Sequence, residues 1–219
     1  MITRAKVARL VIWSGCLLVV LWIGYIMLYL SVLPVLFLIG NLYTGTPRHL
    51  VPRPVIQYYL LDTKWGTDRL RHSSRYMIPL TANTIPTVQS KTRNAKNIAL
   101  MLVLLRKLIK LGKPINIRLH GYTALSGAVM FNQPALARFL IRHGASVKSF
   151  RIGRYVFSFI GAAYCDQHAY PNANITPMLR VLEKAYHGQG VRINLKQAHA
   201  DAKQCRQQSD KNPMIFMDR

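Results

Sequence analysis

The chain has 219 residues and a formal net charge of +23 at pH 7, because 30 Lys and Arg residues outnumber 7 Asp and Glu residues. Glu183 is the one glutamate, and no Ser-His-Asp order, glycine-rich phosphate loop or metalloprotease helix is present. The composition therefore argues against an enzyme and predicts no cofactor or metal. The positive charge favours an acidic protein, an anionic lipid surface or nucleic acid as partner.

The first predicted element is a membrane-spanning helix within residues 10–42, which contain no charged residue. About 20 apolar residues cross a bilayer, since a helix rises about 1.5 Å per residue and the hydrocarbon core is about 30 Å thick. Two spans would need about 40 residues, so one span over residues 10–33 is favoured. Pro34 should kink or end this helix, because proline has no N–H to donate.

A cleaved signal peptide is the alternative, because it also joins a basic start to an apolar run. Its apolar region is about 7 to 15 residues long and ends in small residues, whereas this run continues to Leu42 and Tyr43. A retained anchor over residues 1–43 is therefore expected. Three basic residues precede the span, while only Arg48 and Arg53 follow it closely. This small bias favours a cytoplasmic N-terminus and an extracytoplasmic C-terminal domain, which would be periplasmic in a Gram-negative cell.

Residues 44–96 form a predicted stalk. The segment is basic and contains five prolines, each of which restricts its own backbone and that of the residue before it. This pattern predicts an extended stalk packed on the following domain, and the aromatic residues argue against flexible disorder. The prolines are Pro47, Pro52, Pro54, Pro79 and Pro86.

Residues 115–148 contain a turn followed by two predicted helices. Gly121 takes the turn position, Thr123 opens the first helix, and Pro134 suits the first turn of the second, where its missing N–H costs nothing. Gly144 fits the left-handed residue that ends a helix. Between Pro134 and Gly144, apolar residues recur at the 3-and-4 spacing of a buried helical stripe. This stripe consists of Leu136, Phe139 and Leu140.

This segment resembles an ankyrin repeat over its full length. Ala124 and Ser126 depart from the proline and histidine that the family prefers at these positions. One such repeat cannot bury its own apolar face, so neighbouring repeats are expected. Residues 108–112 match residues 140–144 at an offset of 32, close to the family period. Residues 158–163 similarly match residues 123–128 at an offset of 35.

The resemblance implies a mainly α fold. After the transmembrane helix and the stalk, a short ankyrin-like α-solenoid of about three repeats should occupy residues 97–195, followed by a polar tail over residues 196–219. Residues 98–111 allow another interpretation, because a basic amphipathic helix can lie in a membrane interface. The repeat register explains the same apolar residues as core, which is the favoured interpretation.

The cysteines outside the apolar run are Cys165 and Cys205. An even pair is what an oxidising compartment uses for one disulfide, and two separate buried thiols are equally compatible with the sequence. With His168 and His199 the pair could also form a zinc site. The half of this site formed by His199 and Cys205 lacks the tight turn of a zinc knuckle. Zinc is therefore the least favoured of the three interpretations.

The ankyrin resemblance implies that turn tips and first helices bind a protein partner. Arg and Tyr are residue types that anchor interfaces, although the alternative is a solvated basic rim. The expected partner-binding residues are Arg118, His120, Tyr122, Lys148, Arg151, Arg154 and Tyr155.

The expected function is that of a membrane-anchored module that captures an acidic protein. This architecture is similar to that of bacterial immunity proteins, which implies a secreted toxin or effector as partner. The alternative is a scaffold that binds anionic lipid beside its own anchor. Nucleic acid is disfavoured if the domain lies outside the cytoplasm.

Overall fold

The computed structural model describes residues 4–44, 51–83, 91–119, 121–152, 155–169 and 174–211. These residues are mainly helical, as predicted, with 11 helices and one two-stranded antiparallel sheet among them. Contacts divide the chain into a first unit, Met1–Arg69, and a second, Leu70–Arg219. The elements are α1 (Arg4–Val32), α2 (Val35–Thr44), α3 (Arg53–Asp62), α4 (Lys64–His72), α5 (Met77–Asn83), α6 (Lys91–Lys110), α7 (Ala124–Met130), α8 (Pro134–Arg142), β1 (Phe150–Ile152), β2 (Tyr155–Phe157), α9 (Phe159–Ala169), α10 (Thr176–Gly188) and α11 (Leu195–Lys211).

Helix α1 contains an apolar stretch that is long enough to cross a membrane. Trp13–Val32 spans 20 residues with a mean hydropathy of 2.2, and the protein itself buries only 11% of this window. A core helix of a water-soluble protein would be covered by its neighbours, whereas these apolar side chains are exposed. Within the described ranges, α1 is the one helix that meets this criterion of length and composition.

Pro34 separates α1 from α2, as the sequence predicts for a proline that ends or kinks the span. The last α1 hydrogen bond runs from Leu33 N to Tyr29 O at 3.3 Å, and α2 begins one residue after the proline. The Arg69 guanidinium donates to the carbonyls of Leu30 and Leu33 at this end of α1. A cation is favourable there, because the carbonyls at a helix C-terminus carry partial negative charge.

Helices occupy much of the segment that was expected to be an extended stalk. The described residues of this segment, 44, 51–83 and 91–96, lie mostly in α3, α4, α5 and the beginning of α6, so the extended conformation is not observed among them. Pro52 is the N-cap of α3, Pro54 lies in its first turn, and Pro79 lies in the first turn of α5. Proline is tolerated at these positions because the first helical N–H groups have no intrahelical acceptor. These three prolines therefore mark helix starts, whereas Pro47 and Pro86 lie outside the described residues.

The apolar face of α6 belongs to the core of the second unit. Leu104, Leu105 and Leu108 are completely buried, and Met101 is almost so. This helix contacts α5 and α8. The burial of this face agrees with the interpretation of residues 98–111 as core, although Val103 on the same helix is exposed.

Helices α6, α8 and α10 end in the same backbone motif. Their terminal glycines, Gly112, Gly144 and Gly190, have φ values of +80°, +93° and +65°. Each glycine N–H bonds the carbonyl three residues back, and the next N–H bonds the carbonyl five residues back, as from Ala145 to Leu140 at 3.0 Å. This Schellman motif needs a left-handed residue, which glycine supplies without a Cβ clash.

The three helix ends are connected by side-chain hydrogen bonds. Asn116, after α6, donates to Gly144 O at 2.9 Å and accepts from Ser146 N at 2.8 Å. Gln189, after α10, donates to Ala145 O at 2.8 Å and accepts from Val147 N at 3.0 Å. The loop after α8 is therefore bonded on one side to the loop after α6 and on the other to the loop after α10.

The expected polar tail begins with a packed helix. Helix α11 lies against α9, and the structure contains a disulfide between Cys165 of α9 and Cys205 of α11 with a Cα–Cα distance of 6.0 Å. Residues Ala198 and Ala202 of α11 are buried at the 3-and-4 spacing that continues to Cys205. Small side chains on this face permit close approach of the two helices. Residues 195–211 are therefore part of the folded unit.

Candidate functional site

The predicted turn residues Arg118 and Tyr122 lie beside strand β1. Leu119 and Tyr122 form an isolated antiparallel bridge, with N–O distances of 2.8 and 2.9 Å. Gly121 lies inside this turn, and a Cβ on it would come within 2.3 Å of Arg151 O. Glycine is therefore required for the turn to approach β1 so closely.

The β-hairpin has one buried face and one exposed face. Phe150 pairs with Phe157 on the buried face, and the Phe150 ring packs 5.1 Å from that of Phe159. The next pair, Arg151 and Val156, is exposed, because successive strand residues point to opposite faces. The aromatic pair therefore attaches the hairpin to the core and leaves an arginine beside an exposed valine.

We define the hairpin surface as Arg118, Tyr122, Arg151 and Val156. The Arg118 guanidinium reaches Ser149 O at 3.5 Å, next to β1. Burial of the half-covered ring raises the pKa of Tyr122 above its ordinary value. The phenol, which is neutral at physiological pH even without this shift, can donate a hydrogen bond. The surface thus combines two guanidinium groups, a phenol and an apolar side chain. Val156 was not among the residues predicted from the sequence.

The other predicted residues have different surroundings. Tyr155 shares the Phe157 face of the hairpin and lies 6.4 Å from that ring, so it faces away from Arg151. Lys148 is exposed and lines a small cleft of about 180 Å³ that also includes Tyr186 and Arg192. His120 and Arg154 lie outside the described residues.

A second basic feature is a groove of about 640 Å³ between α8 and α10. Arg138 and Arg142 of α8 line it, as do Arg180 and Lys184 of α10, and all four are exposed. Each pair is spaced four residues apart and therefore lies on one helix face. The apolar lining consists of Ile141, Val181 and Ala185.

The second unit carries much more positive than negative charge. Among the side chains described in this unit, the acidic ones are Glu183, exposed on α10, and Asp201, which is 2% exposed. Asp201 points into the protein, so it does not offset the surface charge locally. Both the hairpin surface and the groove therefore present cations that pair with no carboxylate among the described side chains.

The two first helices of the predicted repeats begin with related caps. Thr123 and Ser126 form a capping box at α7, with Thr123 N donating to Ser126 Oγ at 2.8 Å and Ser126 N donating to Thr123 Oγ1 at 3.1 Å. Ser126 thus provides a cap at the position where the ankyrin pattern prefers histidine. At α9, Ser158 accepts from Gly161 N at 3.1 Å, but glycine has no side chain to complete the box.

Asp201 of α11 supplies the missing acceptor at α9. Its Oδ2 accepts from Ser158 N at 2.8 Å and from Ser158 Oγ at 2.7 Å. A Cβ on Gly161 would lie 2.5 Å from Asp201 Cβ, so the glycine makes room for this helix. Tyr186 accepts from Phe159 N at 3.2 Å in the same region, and burial raises its pKa despite backbone hydrogen bonds that lower it.

Three of the four cysteine and histidine residues that could have held zinc have other contacts. Cys165 and Cys205 are bonded to each other, and the His199 ring stacks on Tyr164 with 4.9 Å between ring centroids. The His168 side chain lies outside those described. Within the described part of the chain, no three His, Cys, Asp or Glu residues are grouped as metal ligands would be.

These features describe a mainly helical chain with one apolar N-terminal helix, a disulfide and a strongly basic second unit. No family model matches the chain, and neither a curated protein nor a solved structure is significantly similar to it. Its function must therefore be argued from the geometry above.

Proposed function

We propose that this chain is a membrane-anchored, non-enzymatic binding protein whose basic C-terminal domain captures an acidic protein partner. The observation that supports this proposal best is the hairpin surface, where Arg151 pairs with the exposed Val156 and the turn that contains Arg118 and Tyr122 lies against β1. Interface hot spots are enriched in Arg and Tyr, and a desolvated apolar contact strengthens neighbouring charged hydrogen bonds.

The domain is, in this proposal, an ankyrin-like solenoid of about three repeats. Three Schellman ends joined by Asn116 and Gln189 support the idea that equivalent units are stacked side by side. The related caps of α7 and α9 support it as well. The repeats would carry the hairpin surface on their turn tips, where proteins with this architecture bind partners.

The proposed topology is a single pass with a cytoplasmic N-terminus and an extracytoplasmic domain. The Cys165–Cys205 disulfide supports it, because such bonds persist in oxidising compartments. The anchor would hold the domain where an incoming protein reaches the membrane. Neutralisation of an acidic toxin by occlusion, as by an immunity protein, is the use we propose for this arrangement.

Site-specific crosslinking in cells tests the proposal. A photoreactive residue in place of Val156 should crosslink an acidic protein, whereas the same residue at Lys203, exposed on α11, should not. Arg118→Gln with Arg151→Gln should remove the Val156 adduct, because the partner's carboxylates lose both guanidinium groups. If the adducts are equal at both positions, or persist in the double variant, the hairpin surface is not the binding site.

Anionic-lipid scaffolding is the second candidate, favoured by the one-sided charge of the second unit. Each basic residue near an anionic surface contributes about 1 kcal/mol. Full-length protein held in phosphatidylcholine nanodiscs should then float with added vesicles containing phosphatidylserine and not with neutral vesicles. Flotation at 0.15 M salt would support the scaffold, and its absence would leave protein capture as the function.

A further inference from the structure

The groove between α8 and α10 is positively charged and is bounded by these two helices. Its two walls are attached to each other at both ends. Near the helix starts, Asn132 Nδ2 donates to Asn174 O at 3.2 Å. Beyond the helix ends, Gln189 bonds Ala145 and Val147. The two helix starts are linked to each other, and so are the two helix ends, so α8 and α10 run parallel.

The cations line both edges of this groove. Arg138 and Arg142 lie on one wall, and Arg180 and Lys184 lie on the other. Four residues of helix rise by about 6 Å, so each wall presents two cations one helical turn apart. No hydrogen bond or ion pair joins any of the four to another described residue. Their charge is therefore available to a partner.

The apolar lining lies along the same groove. Ile141 and Val181 are half-buried, and Ala185 is buried. A free phosphate or a single headgroup would be held by cations clustered at one point and would gain nothing from this apolar lining. A segment with a central apolar stripe and carboxylates on both sides would contact all of these groups. An amphipathic helix has that cross-section.

We propose that this groove binds an acidic amphipathic helix of a partner protein. The apolar stripe of the helix packs on Ile141, Val181 and Ala185, and its flanking carboxylates pair with the four cations. Glu183 lies on α10 but does not line the groove, so it does not oppose this arrangement from within. The proposal is independent of the hairpin surface, because the two sites share no residue.

A designed peptide tests the groove directly. The probe is an 18-residue helical peptide with a leucine stripe flanked by glutamates, and its scramble has the same composition and charge. Full-length protein in phosphatidylcholine nanodiscs should bind the peptide at least about tenfold more tightly than the scramble, because only the ordered sequence forms the stripe. Equal binding would show general charge attraction and overturn the proposal.

Matched variants locate the binding. Arg138→Gln, Arg142→Gln, Arg180→Gln and Lys184→Gln together should weaken peptide binding about tenfold or more, since each exposed pair contributes a modest share. The control removes the same charge from four other exposed positions. These substitutions are Lys110→Gln, Arg192→Gln, Lys196→Gln and Lys203→Gln, which lie outside both the groove and the hairpin surface.

The control should change peptide affinity less than about threefold. An equal loss in both variants would overturn the groove as the site. Val181→Gln keeps all charges and should weaken the peptide but not polyglutamate, a readout that a general folding defect would not produce. Displacement of the peptide by vesicles containing phosphatidylserine, but not by neutral vesicles, would assign the groove to lipid and also overturn the proposal.

Discussion

Replacing Asp201 by alanine should destabilise the second unit by removing a cap that comes from another helix. The carboxylate accepts from Ser158 N at 2.8 Å, from Ser158 Oγ at 2.7 Å and from Gln197 Nε2 at 2.7 Å. Asp201 is 2% exposed, so water cannot simply take its place. The start of α9 would therefore lose an acceptor that neither Gly161 nor Ser158 can provide.

The expected cost is about 2 to 3 kcal/mol. A donor left unsatisfied in a buried site costs about 1 to 3 kcal/mol, and loss of a helix cap costs about 1 kcal/mol. The bond from Gln197 adds little, because this side chain is exposed and can return to water. For a chain of this size 1 kcal/mol lowers the melting temperature by about 2 to 4 °C, so we expect a decrease of about 5 to 10 °C.

Thermal unfolding of the full-length protein in detergent, with the disulfide intact, measures this effect. Glu183→Ala is the matched control, because it removes an exposed carboxylate of the same unit and should change the melting temperature by less than about 2 °C. Asp201→Asn should give an intermediate loss, since its amide oxygen can still accept from Ser158. If Asp201→Ala were no more destabilising than Glu183→Ala, the capping role would be refuted.

Three further predictions concern stability. Cys205→Ser should lower the unfolding free energy by about 4 kcal/mol, because the bond to Cys165 closes a loop of 40 residues. Dithiothreitol should cause the same loss in the wild type and no further loss in the Cys205→Ser variant. Gly121→Ala should cost about 1 to 3 kcal/mol in thermal unfolding, whereas Gly188→Ala, where a Cβ meets nothing within 4 Å, should be nearly neutral. The pKa of Tyr186 is raised in the folded state, so the unfolding free energy should fall as pH rises above about 10. Tyr186→Phe should make the unfolding free energy, measured by denaturant titration, less dependent on pH in this range.

Local backbone chemistry made several features predictable. The uncharged run and Pro34 predict a long apolar helix that ends where α1 does, because both signals act through neighbouring residues. Gly144 and Pro134 similarly mark the end and the start of α8. Pro52, Pro54 and Pro79 misled the prediction for the same reason, since proline suits both an extended chain and a first helical turn.

Long-range packing produced what no local pattern could indicate. Asp201 of α11 caps α9 through Ser158, 43 positions away. Arg138 and Arg180 line one groove, which exists only after α8 and α10 pack together. The hairpin separates Arg151 from Tyr155 by placing them on opposite faces, although both were expected to bind the same partner. Sequence alone thus established the membrane-length helix, the helical character and the basic charge, because composition and short-range sterics encode them. Tertiary contacts decided which cations share a surface, because that depends on residues far apart in the chain.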